Sequence, residues 1–339
     1  MGQYNWQTSR GEKMKQFTVF VKGIVILLFM TVAAGCSNPV QSVDELKVGL
    51  LLSHNVDDQG WNQEAYQSIL RLQSEYDVAF IVKENINAPS SIRQSVEELA
   101  NEDVDMIIGH SHLYESVFTE VADDYPDTHF VGLNAHLQGD NLTGLHFEGY
   151  AMGYFAGMLA SEMSDSGTIG AIAAFPFQPE VRGFAEGAEY NKGNDIAIQI
   201  EFTESWTDVS RALAYFRLME QTGVDIYYPA GDGFHVEVVE EIKASGLKAI
   251  GYVGDQIDLG EQVILTSTVQ QVGAVYQYAI EEFQQDQLNT GNLYFDFQEN
   301  AISMGEYGSI VPQEVISWLE GHIDHYTNTG ELPHERGND

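Results

Sequence analysis

Cysteine is nearly absent from this sequence, whose 339 residues contain only Cys36. One cysteine cannot form an internal disulfide, and it excludes a cysteine-rich zinc site and a C-x-x-C redox centre. Basic residues are also scarce: 15 Lys and Arg stand against 51 Asp and Glu, for a formal charge of −36. Binding to a phosphate backbone depends on clustered Lys and Arg. We therefore predict no direct contact with nucleic acid and no phosphorylated ligand.

The N-terminal segment has the features of a secretory signal peptide. Lys15 precedes a largely apolar run at 17–32, too short for a comfortable transmembrane span, and Ala33-Ala34-Gly35 stand before Cys36. This resembles a bacterial lipobox, which implies cleavage after residue 35 and acylation of Cys36. Two or more acyl chains give stable anchoring, so we expect a lipid-anchored protein on the extracytoplasmic face of the cell membrane. An uncleaved anchor helix with a chance cysteine is the alternative.

Apolar runs of strand length recur after this leader, with segments of helical spacing between them. They lie at 48–52, 78–82, 104–108, 130–133, 169–173, 196–200, 224–228, 247–252 and 263–267. The 44% hydrophobic content allows a sizeable core, and alternating strands and helices predict parallel sheets covered on both faces. One closed barrel and two open sheets both satisfy the pattern. We favour two lobes with a cleft between them, because an extra run at 142–147 and a glycine-rich helix at 149–157 interrupt the regular alternation of strands and helices near the middle of the chain.

The residues that follow each strand are the candidates for ligand binding, because open α/β sheets bind ligands beyond the carboxyl ends of their strands. Aromatic rings and carboxylates there suit a ligand with a flat face and hydroxyl or amine donors. The candidates are Asp58, Trp61, Asn62, His110, Ser111, Asn134, Trp206, Asp232 and Asp255.

Some of these candidates have a second interpretation. Asp58 is also positioned to cap the helix expected near Trp61. His110 and His112 would share a metal only in an extended loop, and no carboxylate pair stands nearby, so we expect hydrogen-bonding histidines and no metal. Ser111 follows a strand as in a hydrolase nucleophile elbow, but Leu113 stands where that turn needs a small residue.

Several segments, taken in order from about Lys47 to Tyr326, resemble the basic membrane protein family of bacterial lipoproteins. They include Asp57-Asp58-Gln59-Gly60-Trp61-Asn62-Gln63, Phe147-Glu148-Gly149-Tyr150, Gly167-Thr168-Ile169-Gly170, Gly183-Phe184-Ala185-Glu186-Gly187 and Leu265-Thr266-Ser267. Other segments are similar to the Med branch of that family, named as competence regulators. These are Gln178-Pro179-Glu180-Val181 and Tyr228-Pro229-Ala230-Gly231-Asp232-Gly233.

The resemblance implies a type I periplasmic-binding-protein fold, with two Rossmann-like lobes and a nucleoside-like ligand in the cleft between them. Trp61 and Trp206 would replace the family's two stacking Phe rings, and a larger π-face still stacks. Asn134, Val253 and Gln270 stand where the family has Asp, Asp and Lys. The expected organisation is a signal peptide at 1–35 with an upstream extension at 1–13, a lipidated Cys and linker at 36–46, lobe 1 at 47–147 and 263–300, lobe 2 at 148–262 and 301–328, and a tail at 329–339.

Three functions remain open from the sequence. In the first, a monomeric lipoprotein without cofactor or catalytic activity captures a small polar-aromatic ligand, such as a purine nucleoside, and delivers it to an ABC permease. In the second, the same fold acts as a Med-like regulator through a membrane partner, and it influences competence gene expression without touching DNA. A hydrolase that uses Ser111 is the third and least favoured interpretation.

Overall fold

The computed structural model describes residues 45–57 and 60–335. The predicted signal peptide, Cys36 and Asp58 lie outside these residues. The strands are β1 (Leu46–Leu51), β2 (Val78–Lys83), β3 (Met106–Gly109), β4 (His129–Leu133), β5 (Leu142–Phe147), β6 (Thr168–Ala173), β7 (Ala197–Phe202), β8 (Ile226–Ala230), β9 (Lys248–Val253), β10 (Ile264–Gln270), β11 (Gly291–Phe295) and β12 (Ile302–Met304). The α-helices are α1 (Trp61–Glu75), α2 (Pro89–Ala100), α3 (Glu115–Val121), α4 (Gly149–Met163), α5 (Pro179–Lys192), α6 (Val209–Gln221), α7 (His235–Ala244), α8 (Val272–Gln284) and α9 (Gln313–Thr329). Short 3₁₀ helices lie at His112–Tyr114, Ala122–Asp124, Gly193–Asp195 and Ile257–Leu259.

The described strands form two six-stranded sheets, with the orders β11-β5-β4-β3-β1-β2 and β12-β10-β9-β8-β6-β7. We call the parts built on them lobe 1 and lobe 2. Every pairing is parallel except that of β12 with β10, which is antiparallel. Strands such as β3 are buried along their whole length, as expected where helices cover both faces. Both sheets have two free edges, so the predicted pair of open α/β lobes is confirmed and the barrel is excluded.

The division of the chain between the lobes differs from the prediction at one strand. We expected 263–300 to lie in lobe 1, but β10 pairs with β9 and β12 in the sheet of lobe 2. Helix α8 then returns to pack on α1, and β11 pairs with β5 in lobe 1. The reason for the error is that apolar periodicity identifies a strand but carries no information about the strand to which it hydrogen-bonds.

Helices α4 and α5 of lobe 2 pack backbone against backbone, and this contact fixes one wall of the cleft described below. A Cβ on Gly153 would come within 2.0 Å of the carbonyl oxygen of Glu180, and one on Gly187 within 2.0 Å of that of Tyr154. Gly157 and Gly183 make equally close approaches. Only glycine permits this separation. The glycines therefore hold the first turn of α5, which carries Glu180, in a fixed place.

Across residues 45–57 and 60–335, we find no helix that has both the length and the apolar character required to cross a bilayer.

Candidate ligand-binding cleft

A cleft of about 1100 Å³ lies between the lobes, a little above the usual size of small-molecule sites. Lobe 1 lines it with the segments after β1, β3 and β4, and lobe 2 lines it with those after β6, β7, β8 and β9. The carboxyl ends of strands from both sheets thus face one space, as expected for this class of fold.

The cleft brings together six of the predicted residues: Trp61, Asn62, Ser111, Asn134, Trp206 and Asp232. His110 and Asp255 are not among the lining residues. Asp58 lies outside the described part of the chain. Several other lining residues belong to segments that follow strands but were not among the nine candidates, chiefly Phe175, Phe177, Gln178, Glu180 and Tyr252.

His110 is fully buried and holds the indole of Trp61 in place from behind. The two rings stack with centroids 4.2 Å apart and planes 18° apart. Trp61 Nε1 donates to the backbone oxygen of His110, and His110 Nε2 donates to that of Trp61, both at 2.8 Å. A carbonyl can only accept, so Nε2 carries a proton, and Nδ1 is hydrogen-bonded to the Tyr276 hydroxyl at 2.7 Å. His110 therefore positions Trp61 and covers one face of its indole, and the ring of Phe147 meets the indole at 5.9 Å with the planes 78° apart.

Trp206 belongs to an aromatic group on the lobe 2 wall. Its ring centroid lies 5.4 Å from that of Phe175 and 6.4 Å from that of Phe177, and the two Phe rings stack on each other at 5.2 Å. Phe177 is 63% exposed and its ring meets that of His112, from lobe 1, at 6.0 Å. Two indoles from opposite lobes thus line one cleft, with further rings beside the second.

Asp232 connects the two lobes directly. Its Oδ1 accepts a hydrogen bond of 3.1 Å from the backbone N–H of Trp61, the first residue of α1. A carboxylate at this end of a helix is favoured by the helix dipole. Gly60 makes the approach possible, because a Cβ there would lie 2.2 Å from Asp232 Oδ1. The contact joins α1 of lobe 1 to the loop after β8 of lobe 2.

Glu180 is a carboxylate in the cleft wall that is only 5% exposed. Its Oε1 accepts from Gln178 Nε2 at 3.0 Å and from the Tyr252 hydroxyl at 3.1 Å. Burial raises its pKa, and the hydrogen bonds from Gln178, its own backbone amide and Tyr252 oppose that shift. Glu180 was not among the nine candidates, and its place in the first turn of the helix that follows β6 was the signal that could have identified it.

The three positions that depart from the family pattern all line the cleft. Asn134 and Val253 adopt the left-handed backbone region, with φ of 52° and 67°, at the ends of β4 and β9. This conformation is unusual for a β-branched residue, and such strain concentrates at functional sites. Gln270 is 8% exposed, and its buried Oε1 has no hydrogen-bond partner within the described residues.

Asp255 lies away from the main cleft, in a separate groove of about 430 Å³ between α1 and lobe 2. Its Oδ1 accepts from the backbone N–H of Ile257 and from the Ser267 hydroxyl, each at 3.2 Å. Its Oδ2 accepts from the backbone N–H of Glu306 at 2.7 Å. Three internal bonds therefore engage this carboxylate in holding loops of lobe 2 together.

Ser111 has no catalytic partner in the described structure. Its Oγ accepts from the backbone N–H of Leu113 at 3.3 Å, and both ring nitrogens of neighbouring His110 are engaged elsewhere. A serine nucleophile needs a base within hydrogen-bond reach. Nor does the described part of the chain contain a group of three or more His, Cys, Asp or Glu residues arranged to hold a metal ion.

The charged residues of the cleft are acidic, and no Lys or Arg belongs to its described lining. The acidic lining residues are Asp57, Glu115, Glu180, Asp232 and Glu237. His146 also lines the cleft, and burial lowers its pKa, which favours the neutral ring. Such a lining repels anions and suits a neutral or cationic ligand that offers hydrogen-bond donors.

Comparison with known proteins agrees with this geometry. The Bmp family model, described as ABC transporter substrate-binding protein PnrA-like, matches residues 45–335. The chain belongs to this family. The resemblance inferred from the sequence is confirmed, and the family is one of substrate-binding proteins rather than of enzymes.

Individual relatives cover nearly the whole chain. The transcriptional activator protein Med of Bacillus subtilis is 38% identical over 91% of this chain and 98% of its own length. A crystal structure of a transcriptional activator of the comK gene from Bacillus halodurans is 45% identical and covers 85% of this chain and 100% of its own, with a TM-score of 0.79. A purine-binding protein of Brucella abortus is 23% identical over 85% of this chain and 83% of its own.

Proposed function

We propose that this protein is a monomeric lipoprotein, anchored through Cys36 on the extracytoplasmic face of the membrane, that captures a purine-nucleoside-like solute for an ABC permease. The observation that carries the proposal is the pair of indoles, Trp61 and Trp206, which line one cleft from opposite lobes. Nucleobases stack on aromatic rings of this kind. The purine-binding relative from Brucella abortus supports the same class of ligand.

The polar lining suits the rest of such a ligand. Amide and carboxylate oxygens accept hydrogen bonds from ribose hydroxyls and base amines, and the absence of Lys and Arg from the described lining disfavours a nucleotide phosphate. Binding would be coupled to closure of the lobes, because a ligand that contacts both walls stabilises the closed arrangement.

A second candidate function is supported by the relatives named as transcriptional activators. In this alternative the same liganded fold acts on a membrane partner, and its effect on transcription is indirect because a chain of charge −36 is repelled by DNA. The two functions share the cleft and differ in the partner of the closed protein. Expression of this chain in a Bacillus subtilis strain without Med, with a comK reporter as readout, tests the alternative: restored transcription supports it and an unchanged reporter contradicts it.

Tryptophan fluorescence tests the ligand class directly. Titration with guanosine, adenosine and inosine should quench the emission, because a base that stacks between Trp61 and Trp206 changes the surroundings of both rings. Trp206→Ala should weaken binding by about tenfold to a hundredfold, the effect expected when one stacking ring is lost.

The matched control is Trp318→Phe, which changes a partly exposed indole on α9, outside the cleft lining. This variant should bind as the unsubstituted protein does. Flat titrations with all three nucleosides would overturn the proposed ligand class.

A further inference from the structure

We propose that Glu180 is a specificity-determining residue that accepts N–H donors from the flat part of the ligand, so that amino-bearing bases bind in preference to bases that lack the amino group. This inference rests on the proposed function and names the chemistry that the cleft selects.

The position of the Glu180 side chain is fixed from two directions. The close packing of α4 on α5 places its backbone, since its carbonyl oxygen lies 2.0 Å from where a Cβ on Gly153 would stand. Gln178 and Tyr252 donate to Oε1, and both of these residues are themselves buried. The carboxylate is therefore pre-organised and cannot turn out to solvent without the loss of two hydrogen bonds.

The second oxygen of this carboxylate receives no hydrogen bond from a neighbouring side chain among the described residues. Both hydrogen bonds from neighbouring side chains end on Oε1, whereas Oε2 lies beside Gly149, at 3.3 Å from where a Cβ on that residue would stand. Both Glu180 and Gly149 line the cleft. Glycine at 149 thus leaves space next to Oε2 that a side chain would fill.

No cation compensates this buried charge within the described structure. Glu180 forms no ion pair with a described residue, and the cleft lining there contains neither Lys nor Arg. A buried carboxylate without a cation is unfavourable unless donors reach it. A ligand N–H placed at Oε2 supplies such a donor.

A second acceptor belongs to Gln270, which lines both this cleft and the groove beside Asp255. Gln270, at the end of β10, is more than nine-tenths buried, and its Oε1 has no partner among the described residues. Unsatisfied buried acceptors are rare because they cost free energy. With Glu180 Oε2 and Gln270 Oε1 both unfilled by neighbouring side chains, the ligand that fits is one that donates. Sites that require a hydrogen bond reject analogues without the donor.

Calorimetric titration of the full-length chain in detergent tests the inference with two pairs of probes. Guanosine differs from inosine, and adenosine from purine riboside, by one amino group. At least one amino-bearing nucleoside should bind more tightly than its counterpart. Glu180→Gln should weaken the binding of that nucleoside by about tenfold to a hundredfold, the range for the loss of a hydrogen bond to a charged group. It should also reduce the ratio of its affinity to that of the counterpart without the amino group.

Two further variants complete the design. Gln270→Leu removes the second acceptor without exposing a new polar group, and it should also weaken the binding of the amino-bearing nucleoside. Glu189→Gln removes an exposed carboxylate from the same helix, outside the cleft, and should change nothing. Thermal melts of each variant establish that it folds.

The outcomes separate this inference from the proposed function. If nucleosides bind but Glu180→Gln leaves every affinity unchanged, or if neither pair shows an amino preference, the inference is overturned and the nucleoside function stands. If no nucleoside binds at all, the proposed function is overturned and the inference with it.

Discussion

The contact between Asp232 and the start of α1 predicts how easily the two lobes separate. Asp232→Ala removes the acceptor for the Trp61 N–H, a bond of 3.1 Å that crosses from one lobe to the other. A hydrogen bond to a charged group contributes about 1.5–3 kcal/mol when well buried. Asp232 is only partly buried, so solvent screening reduces the expected loss to about 1–2 kcal/mol. The equilibrium constant between the closed and the open arrangement should then fall by a factor of about 5–30.

Small-angle X-ray scattering and ligand affinity together measure this effect. Without ligand, Asp232→Ala should have a larger radius of gyration than the unsubstituted protein, and its apparent dissociation constant should rise by up to the same factor. Gly60→Ala should act in the same direction, because its Cβ would lie 2.2 Å from Asp232 Oδ1 and press the lobes apart.

The matched control for this experiment is Asp208→Ala. Asp208 Oδ1 accepts from the backbone N–H of Arg211 at 3.0 Å, so it also satisfies the first turn of a helix, but both residues belong to lobe 2. Its loss should lower thermal stability without changing the scattering radius. An Asp232→Ala protein with unchanged radius and unchanged affinity would refute the role assigned to this contact.

Two other predictions concern stability. Burial raises the folded-state pKa of Glu180 above its ordinary value of 4.5, so the carboxyl favours folding below that value and this contribution is lost as pH rises through the folded pKa. In thermal melts at several pH values, the stability of the Glu180→Gln protein should equal that of the unsubstituted protein in acid and exceed it at neutral pH. Equal stability at every pH would contradict the raised pKa. Gly153→Ala places a Cβ 2.0 Å from a carbonyl oxygen and should cost about 1–3 kcal/mol or more. Gly321→Ala, where a Cβ in α9 meets nothing within 4 Å, should stabilise slightly, and a Gly153→Ala protein that melts at an unchanged temperature would contradict the close packing.

Much of the fold could be predicted from the sequence, because the apolar residues of a strand or a helix recur with the period of that element. Strands β1 to β10 follow the predicted apolar runs, whereas β11 and β12 were not among those runs, and the glycine-rich segment at the midpoint is the start of α4. Strand ends were equally informative, since Trp61, Asn134 and Trp206 each follow a strand and each line the cleft. Local pattern is sufficient for these statements, because burial on a sheet and proximity to its carboxyl edge are properties of a single element.

Only the tertiary structure decided which partners those elements meet. The sequence assigned β10 to lobe 1, whereas hydrogen bonding to β9 and β12 puts it in lobe 2. His110 and Asp255 also follow strands, yet one is stacked behind Trp61 and the other is engaged by loops of lobe 2. Glu180 shows the converse, since a residue outside the nine candidates is a buried part of the cleft wall, where α4 packs against α5. Sequence sets the period of each element, but the distances between elements depend on contacts between residues far apart in the chain.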